Sequence, residues 1–415
     1  MTTQFTNTLG GQRESFTPLD ASVVRIYSCG PTIKAPAGLG KFRSFLLGDL
    51  VHRYLQYRGF TVRQVMNITD VGHLNEFEED VIELAAARTG LYAGELVEKE
   101  VKTFHADRHA LGIRNCEAYP HARDHIEEMV EIIRELEARG LTYSADGNLY
   151  LDVQKTQDFG KLSGQSIERL EERVQASQTK HSPAKRHPLD IDLWRTDAAH
   201  TTHWKSPWGR GFPGWHVECV AMSRKYLGAS FDIHTGGHDN VFPHHDCEIA
   251  QAEALSDGAP LARYWLHSGP VLVDGQPMSI RNENFVTVRE LLESGFRGVV
   301  LRVALLSEPY RAVLDFSEPL RERARECVDR ILDFHTYLTD QVGGQPPEQD
   351  ATSRPEWVQQ TDARFDSALD DDLQYGVALS AVAEAIGALT PKTLKEPAQA
   401  LAALNRWDQV LGILA

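Results

Sequence analysis

Short apolar runs and longer periodic ones alternate along the first seventy residues. Val23, Val24, Ile26 and Tyr27 form a β-branched run that stops at a turn cluster, Ser28-Cys29-Gly30-Pro31-Thr32. The stretch 42–59 then puts Phe45, Leu46, Leu50, Tyr54 and Leu55 on one side at helical spacing and closes on Gly59. A second strand-like run over 61–66 leads into Asn67-Ile68-Thr69-Asp70. Strand, glycine-containing turn, helix and strand make a βαβ unit, which predicts a parallel sheet. Helices follow over 77–88, 91–111 and 122–139, the last amphipathic through Ile126, Met129, Ile132, Ile133 and Leu136. Asp146-Gly147 between two apolar triplets predicts a hairpin over 141–153. The segments 159–164 and 168–186 read as exposed insertion.

The pattern turns buried again at Phe212. Cys219 lies in an apolar run of helical period with Val217, Val220, Ala221 and Leu227. Phe231-Asp232-Ile233-His234 reads as a short buried strand running into Gly236-Gly237, where an open α/β sheet receives its ligand. A helix after Pro243 puts His244 and Glu248 one turn apart on one face. Residues 264–273 are strand-like, with a turn at Asp274-Gly275. From 319 onward the periodicity is helical over 324–338, 357–369, 375–389 and 398–414, with a Pro- and Gly-containing link over 343–355.

Composition alters this picture little. Of 415 residues, 42% are hydrophobic and 25% charged, ordinary for a globular protein with a sizeable core. No run approaches the eighteen or so apolar residues a membrane helix needs, and the N-terminus lacks an apolar signal core, so a cytoplasmic location and no membrane partner are expected. The five cysteines, 29, 116, 219, 247 and 327, form no close pair and suit a reducing compartment. A net charge of −16 sets the bulk field against polyanionic partners.

Candidate chemistry concentrates at Cys219, His244 and Glu248. A thiolate, an imidazole and a carboxylate supply three of the four ligands of a tetrahedral zinc. A buried cysteine and a solvated His–Glu helix pair account for the same spacing.

The chain resembles the class I cysteinyl-tRNA synthetases. The resemblance is carried by Tyr27-Ser28-Cys29-Gly30-Pro31-Thr32, Asn67-Ile68-Thr69-Asp70, Gly160-Lys161-Leu162-Ser163-Gly164-Gln165, the run S-P-W-G-R-G-F-P-G-W-H-V-E-C from Ser206, and F-P-H-H-D-C-E-I-A-Q from Phe242. It implies a Rossmann-type α/β catalytic domain in two halves, 1–115 and 211–318, an inserted connective domain over 116–210, and a helical bundle over 319–415. It also implies zinc ligands at Cys29, Cys219, His244 and Glu248. Thr69 and Trp215 match the amino-acid pocket, while Gly40, His234, Gly236, Gly237 and Asp239 match the ATP side. His245 reads as a supporting residue. Bound cysteine or a cysteine derivative, zinc and ATP are the expected ligands.

Two signatures depart from the family. H-I-G-H falls on Gly38-Leu39-Gly40-Lys41, and K-M-S-K-S falls on Pro277-Met278-Ser279-Ile280-Arg281. Two imidazoles and two lysines that stabilise the reacting phosphates are absent, leaving Lys41 and Arg281 as the candidate replacements and Met278 and Ser279 as the retained loop residues. The chain is also expected to lack the anticodon-reading domain, so full-length tRNA is not an expected partner. Three readings follow: a cysteine-activating ligase with a small amine acceptor, a divergent cysteine–tRNA ligase, and a non-catalytic binder of cysteine or its derivatives.

Overall fold

The computed structural model describes residues 2–71, 74–75, 79–176, 184–196, 200, 202–343, 354–389 and 394–414. Its centre is a four-stranded parallel sheet. The elements that build it are β1 (Val24–Ser28), α1 (Leu39–Tyr57), β2 (Val62–Met66), α2 (Trp215–Leu227), β3 (Phe231–Gly237), α3 (Asp246–Leu255) and β4 (Ala262–Ser268). The strand order is β4-β3-β1-β2. Val24 lies opposite Val62, Ile26 opposite Ile233, and Ile233 opposite Tyr264. Strands buried on both faces need apolar side chains both ways, which is why β1 and β3 carry no clean alternation.

The chain leaves β1 toward β2 on one side and returns through β3 and β4 on the other. A crevice opens beyond the C-terminal strand ends at such a reversal. Here those ends are Ser28-Cys29 and Thr235-Gly236-Gly237, tied by the Cys29 N–H donating to the Thr235 carbonyl at 3.0 Å. Gly30 is required at the next step, because a Cβ there would fall 1.7 Å from the Asn67 carbonyl oxygen.

One core packs α1 and the C-terminal helices against one face of the sheet, with Leu46, Leu50, Val303 and Leu404 among its members. A second core covers the other face and joins α2 and α3 to the inserted segment through Tyr27, Met129, Trp194 and Val220. The insertion contains the helix Ile126–Ala138 and an antiparallel sheet ordered Thr142–Ala145, Asn148–Leu151, Ile191–Arg195, Gly209–Pro213 and Trp204–Ser206. The expected hairpin forms, with Asp146 and Gly147 both at positive φ as its two-residue turn demands.

Several expectations need correction. The segment 159–164 is not exposed: Phe159 and Leu162 are buried, and the Leu162 N–H donates to Asp246 Oδ1 at 3.0 Å, at the start of α3. Part of 168–186 forms the helix Ile167–Ala176 with Leu170 buried, and residues 177–183 lie outside the described residues. The expected strand 264–273 is two strands in two sheets, broken at Gly269-Pro270; Val271–Val273 pairs instead with Gln276–Pro277 and Leu314–Asp315. Proline cannot donate to a ladder, and a Cβ at Gly269 would fall 2.2 Å from the Ala312 carbonyl oxygen. The start of the helix expected over 77–88 and most of the link over 343–355 also lie outside the described residues; the helix itself is Val81–Thr89, capped by Asp80.

The helices Glu318–Val342, Glu356–Asp370, Tyr375–Gly387 and Pro397–Leu411 form the C-terminal bundle. A buried cluster fastens it to α1. Asp49 accepts from Arg53 Nε at 2.8 Å and pairs with Arg302 Nη2 at 2.7 Å. Arg53 in turn donates to the Gln409 carbonyl at 3.1 Å, and Arg302 to the Leu411 carbonyl at 2.7 Å.

Candidate metal centre and nucleotide face

The four expected metal ligands come together. Cys29 follows β1, Cys219 lies on α2, His244 sits in the wide turn before α3, and Glu248 is in the first turn of α3. All four are buried, and one donor atom from each lies within 4.8 Å of the others. His244 Nε2 is 3.0 Å from Glu248 Oε1, the one-turn spacing read from the sequence. Two thiols, an imidazole and a carboxylate, all buried, fit a zinc ion by the chemistry of the donor set.

Further residues extend this centre. His216 Nδ1 lies 2.9 Å from His244 Nδ1, and the Trp215 ring stacks on His244 with centroids 4.1 Å apart. His245 Nε2 is 3.2 Å from Cys29 Sγ, while its Nδ1 is 2.7 Å from His267 Nε2, which continues to Thr8 Oγ1. His234 also turns toward the centre, its Nε2 3.0 Å from Glu248 Oε2 and its ring stacked on Trp265. Sequence reading missed His216 and His267. His216 sits three residues before Cys219 on the same helix, a spacing signal that was available. His267 is brought in only by strand register, opposite Gly236.

Burial and mutual contact set the charges. Burial pushes the Glu248 carboxyl up, but His234 and His244 outweigh it and hold it down at about 2. Burial alone pulls His244 down, and Glu248 with Cys29 raises it to about 10. The thiol pair splits: burial pushes Cys29 up, but a hydrogen bond from Cys219 and the neighbouring His244 bring it down, while the same bond and burial raise Cys219. Burial, with His234 nearby, pulls His267 down to about 3, so the His245–His267 link is neutral.

The other face of the crevice lies where the segment 38–41 meets the loop 277–281. Gly38 and Thr287 form an antiparallel bridge, so the loop after Pro277 folds back over the start of α1. A Cβ at Gly38 would come within 2.7 Å of the Phe285 ring and 3.4 Å of Met278 Cε; at Gly40, Met278 Cε would be 3.7 Å away. Lys41 is ion-paired with Asp239 at 2.9 Å and reaches Asn240 Oδ1 at 3.5 Å, crossing from α1 to the segment after β3. A Cβ at Gly236 would meet His245 at 2.7 Å, so this glycine serves close packing. Arg281 is exposed on the loop, and Ser279 Oγ accepts from the Asn282 N–H within it. Thr69 is buried beside the crevice, its hydroxyl accepting from Asn67 Nδ2.

Solved structures of similar shape are synthetases. A methionyl-tRNA synthetase from Mycobacterium tuberculosis, in complex with methionyl-adenylate, superposes with a TM-score of 0.62 at 15% identity, covering 94% of this chain and 90% of that one. The LeuRS of Agrobacterium radiobacter K84, in a ternary complex with tRNA, gives 0.65 at 11% identity, covering 96% and 84%. The parallel sheet, insertion and C-terminal helices are therefore the fold of a class I aminoacyl-tRNA synthetase catalytic region. The family described as tRNA synthetases class I (C), catalytic domain, matches residues 15–326. Proteins named Cysteine–tRNA ligase are 39% identical in Thermococcus onnurineus, over 92% of this chain and 79% of that protein, and 37% identical in Symbiobacterium thermophilum, over 98% and 86%. The chain belongs to the cysteinyl-tRNA synthetase family.

Proposed function

We propose that this chain recognises cysteine through a zinc ion held by Cys29, Cys219, His244 and Glu248, activates it with ATP, and passes the cysteinyl group to a small amine acceptor. The observation that carries the cysteine half is the convergence of two thiols, an imidazole and a carboxylate beside the switch point of the sheet. A zinc ion there supplies a Lewis acid that lowers a thiol's pKa and prefers sulfur to a serine hydroxyl, which selects cysteine without editing.

The chain's own residues divide the remaining work. Trp215 and Thr69 flank the amino-acid pocket. His216 orients His244 through its second nitrogen. Lys41 and Arg281 serve the phosphates in place of the missing imidazoles and lysines, while Gly40, Gly237, Asp239, Met278 and Ser279 shape the nucleotide's place. The division into two catalytic halves, insertion and bundle belongs to the same proposal. A net charge of −16 favours a small acceptor over a polyanion. A second reading, transfer to tRNA, is favoured by the relatives named Cysteine–tRNA ligase.

Cysteine-dependent ATP–pyrophosphate exchange tests the activation step. Exchange with cysteine and not with serine is the expected result. Absence of exchange, with cysteine still bound, leaves a cysteine-binding protein in place of the ligase.

A further inference from the structure

The metal centre holds more donors than one ion can use. Cys29, Cys219, His234, His244, His245 and Glu248 are all buried in one cluster, and a tetrahedral ion takes four. Among the described residues, two sets of four bring one donor atom each within 4.8 Å of one another: Cys29, Cys219, His244 and Glu248, and Cys29, His234, His245 and Glu248. The sets share Cys29 and Glu248. Glu248 has an oxygen for each, Oε1 beside His244 at 3.0 Å and Oε2 beside His234 at 3.0 Å. His245 Nε2 stands 3.2 Å from Cys29 Sγ and 3.9 Å from Glu248 Oε1.

In the second set, His245 is supported as ligating imidazoles are. The His245 Nδ1 is held by His267, itself held by Thr8, which leaves Nε2 aimed at the shared thiol. His234 is fixed by stacking, its centroid 4.5 Å from that of Trp265 at 14°. Its Nε2 faces Glu248 Oε2 at 3.0 Å, so that is the nitrogen it offers to this set.

We propose that the centre offers a metal ion two overlapping seats. The outer one is Cys29, Cys219, His244 and Glu248, and the inner one is Cys29, His234, His245 and Glu248. This rests on the zinc reading above. Two thiolates make the outer seat the softer one and the resting place of zinc. Removing an outer-only ligand sends the ion inward and does not release it. An ordinary closed site with one set of ligands loses its metal under the same change.

Metal analysis and cobalt substitution separate the cases, since thiolate-to-cobalt charge transfer reports how many sulfurs bind. Wild-type protein is expected to carry about one metal per chain, with a two-thiolate cobalt spectrum. Cys219→Ser and His244→Ala, each removing one outer-only ligand, should both keep about one metal, with the charge-transfer band roughly halved as one sulfur remains. His234→Ala alone should leave the wild-type spectrum intact, and His234→Ala combined with Cys219→Ser should empty the centre. Folding of each variant is checked by its far-ultraviolet circular dichroism. Folded Cys219→Ser or His244→Ala protein without metal overturns the inner seat. Wild-type protein without metal overturns the zinc reading itself, a different result.

Discussion

Lys41, proposed above to serve the phosphates, already has a partner. Its ammonium meets the Asp239 carboxylate at 2.9 Å, with both side chains well exposed. Such pairs contribute about 0–1 kcal/mol, so stability does not explain its placement. As a phosphate-facing cation it would act chiefly on the transition state, where losing one preorganised donor typically costs about a hundredfold or more in rate. Lys41→Ala should therefore leave the melting temperature nearly unchanged. It should lower pyrophosphate exchange by about a hundredfold and alter affinity for a cysteinyl-sulfamoyl-adenosine analogue little. Exchange within a few-fold of wild type removes Lys41 from the phosphate site. The sequence shows which cation is available here, and the structure shows what holds it. Cys29 presents the opposite case. No spacing rule joins it to Cys219, and it reaches the centre only because β1 and β3 are neighbours. His234, matched by resemblance to the ATP side, has its Nε2 3.0 Å from Glu248, a contact no spacing in the sequence announces.

At the level of elements, α1 and the C-terminal helices were legible because each keeps one period over its length, and β1 and β2 because short β-branched runs end at turn clusters. The insertion's sheet was legible only at its hairpin. Ile191–Arg195, Trp204–Ser206 and Gly209–Pro213 are short and pair across long intervals, so their hydrogen bonds leave little local pattern. The fastening of α1 to the bundle left no signal for a related reason: Asp49 and Arg302 are brought together only by the packing of distant helices. Burial pushes the Asp49 carboxyl up, and Arg302 and Arg53 more than offset it, so it titrates below the usual carboxylate range. A carboxyl depressed in the folded state contributes stability that is present above its unfolded pKa, near 3.9, and lost as pH falls through the folded value. Asp49→Asn should destabilise the protein by about 3–5 kcal/mol in urea denaturation at pH 7, since two guanidiniums lose their buried partner. The gap from wild type should narrow as pH is lowered below about 4. A gap under about 1 kcal/mol at pH 7 would class the cluster with exposed ion pairs.

For the whole molecule, the charge balance bears on the acceptor. Forty-three basic against fifty-nine acidic side chains leave −16 to repel a polyanion except at local basic patches. Filter binding of a full-length cysteine tRNA should show weak association, steepening in loss as salt rises from about 50 to 200 mM. Tight, sequence-selective binding at physiological salt turns the acceptor from a small amine to tRNA. The same whole-molecule view gives the Asp49 cluster a meaning in time. Arg53 and the carbonyl it reaches at Gln409 are 356 residues apart. At roughly 5–20 residues per second, a ribosome takes about 20–70 s to bring the second after the first. Through that interval α1 has been made, while the backbone that receives its buried guanidinium has not. The nascent catalytic core must wait for the bundle before its first long helix can settle.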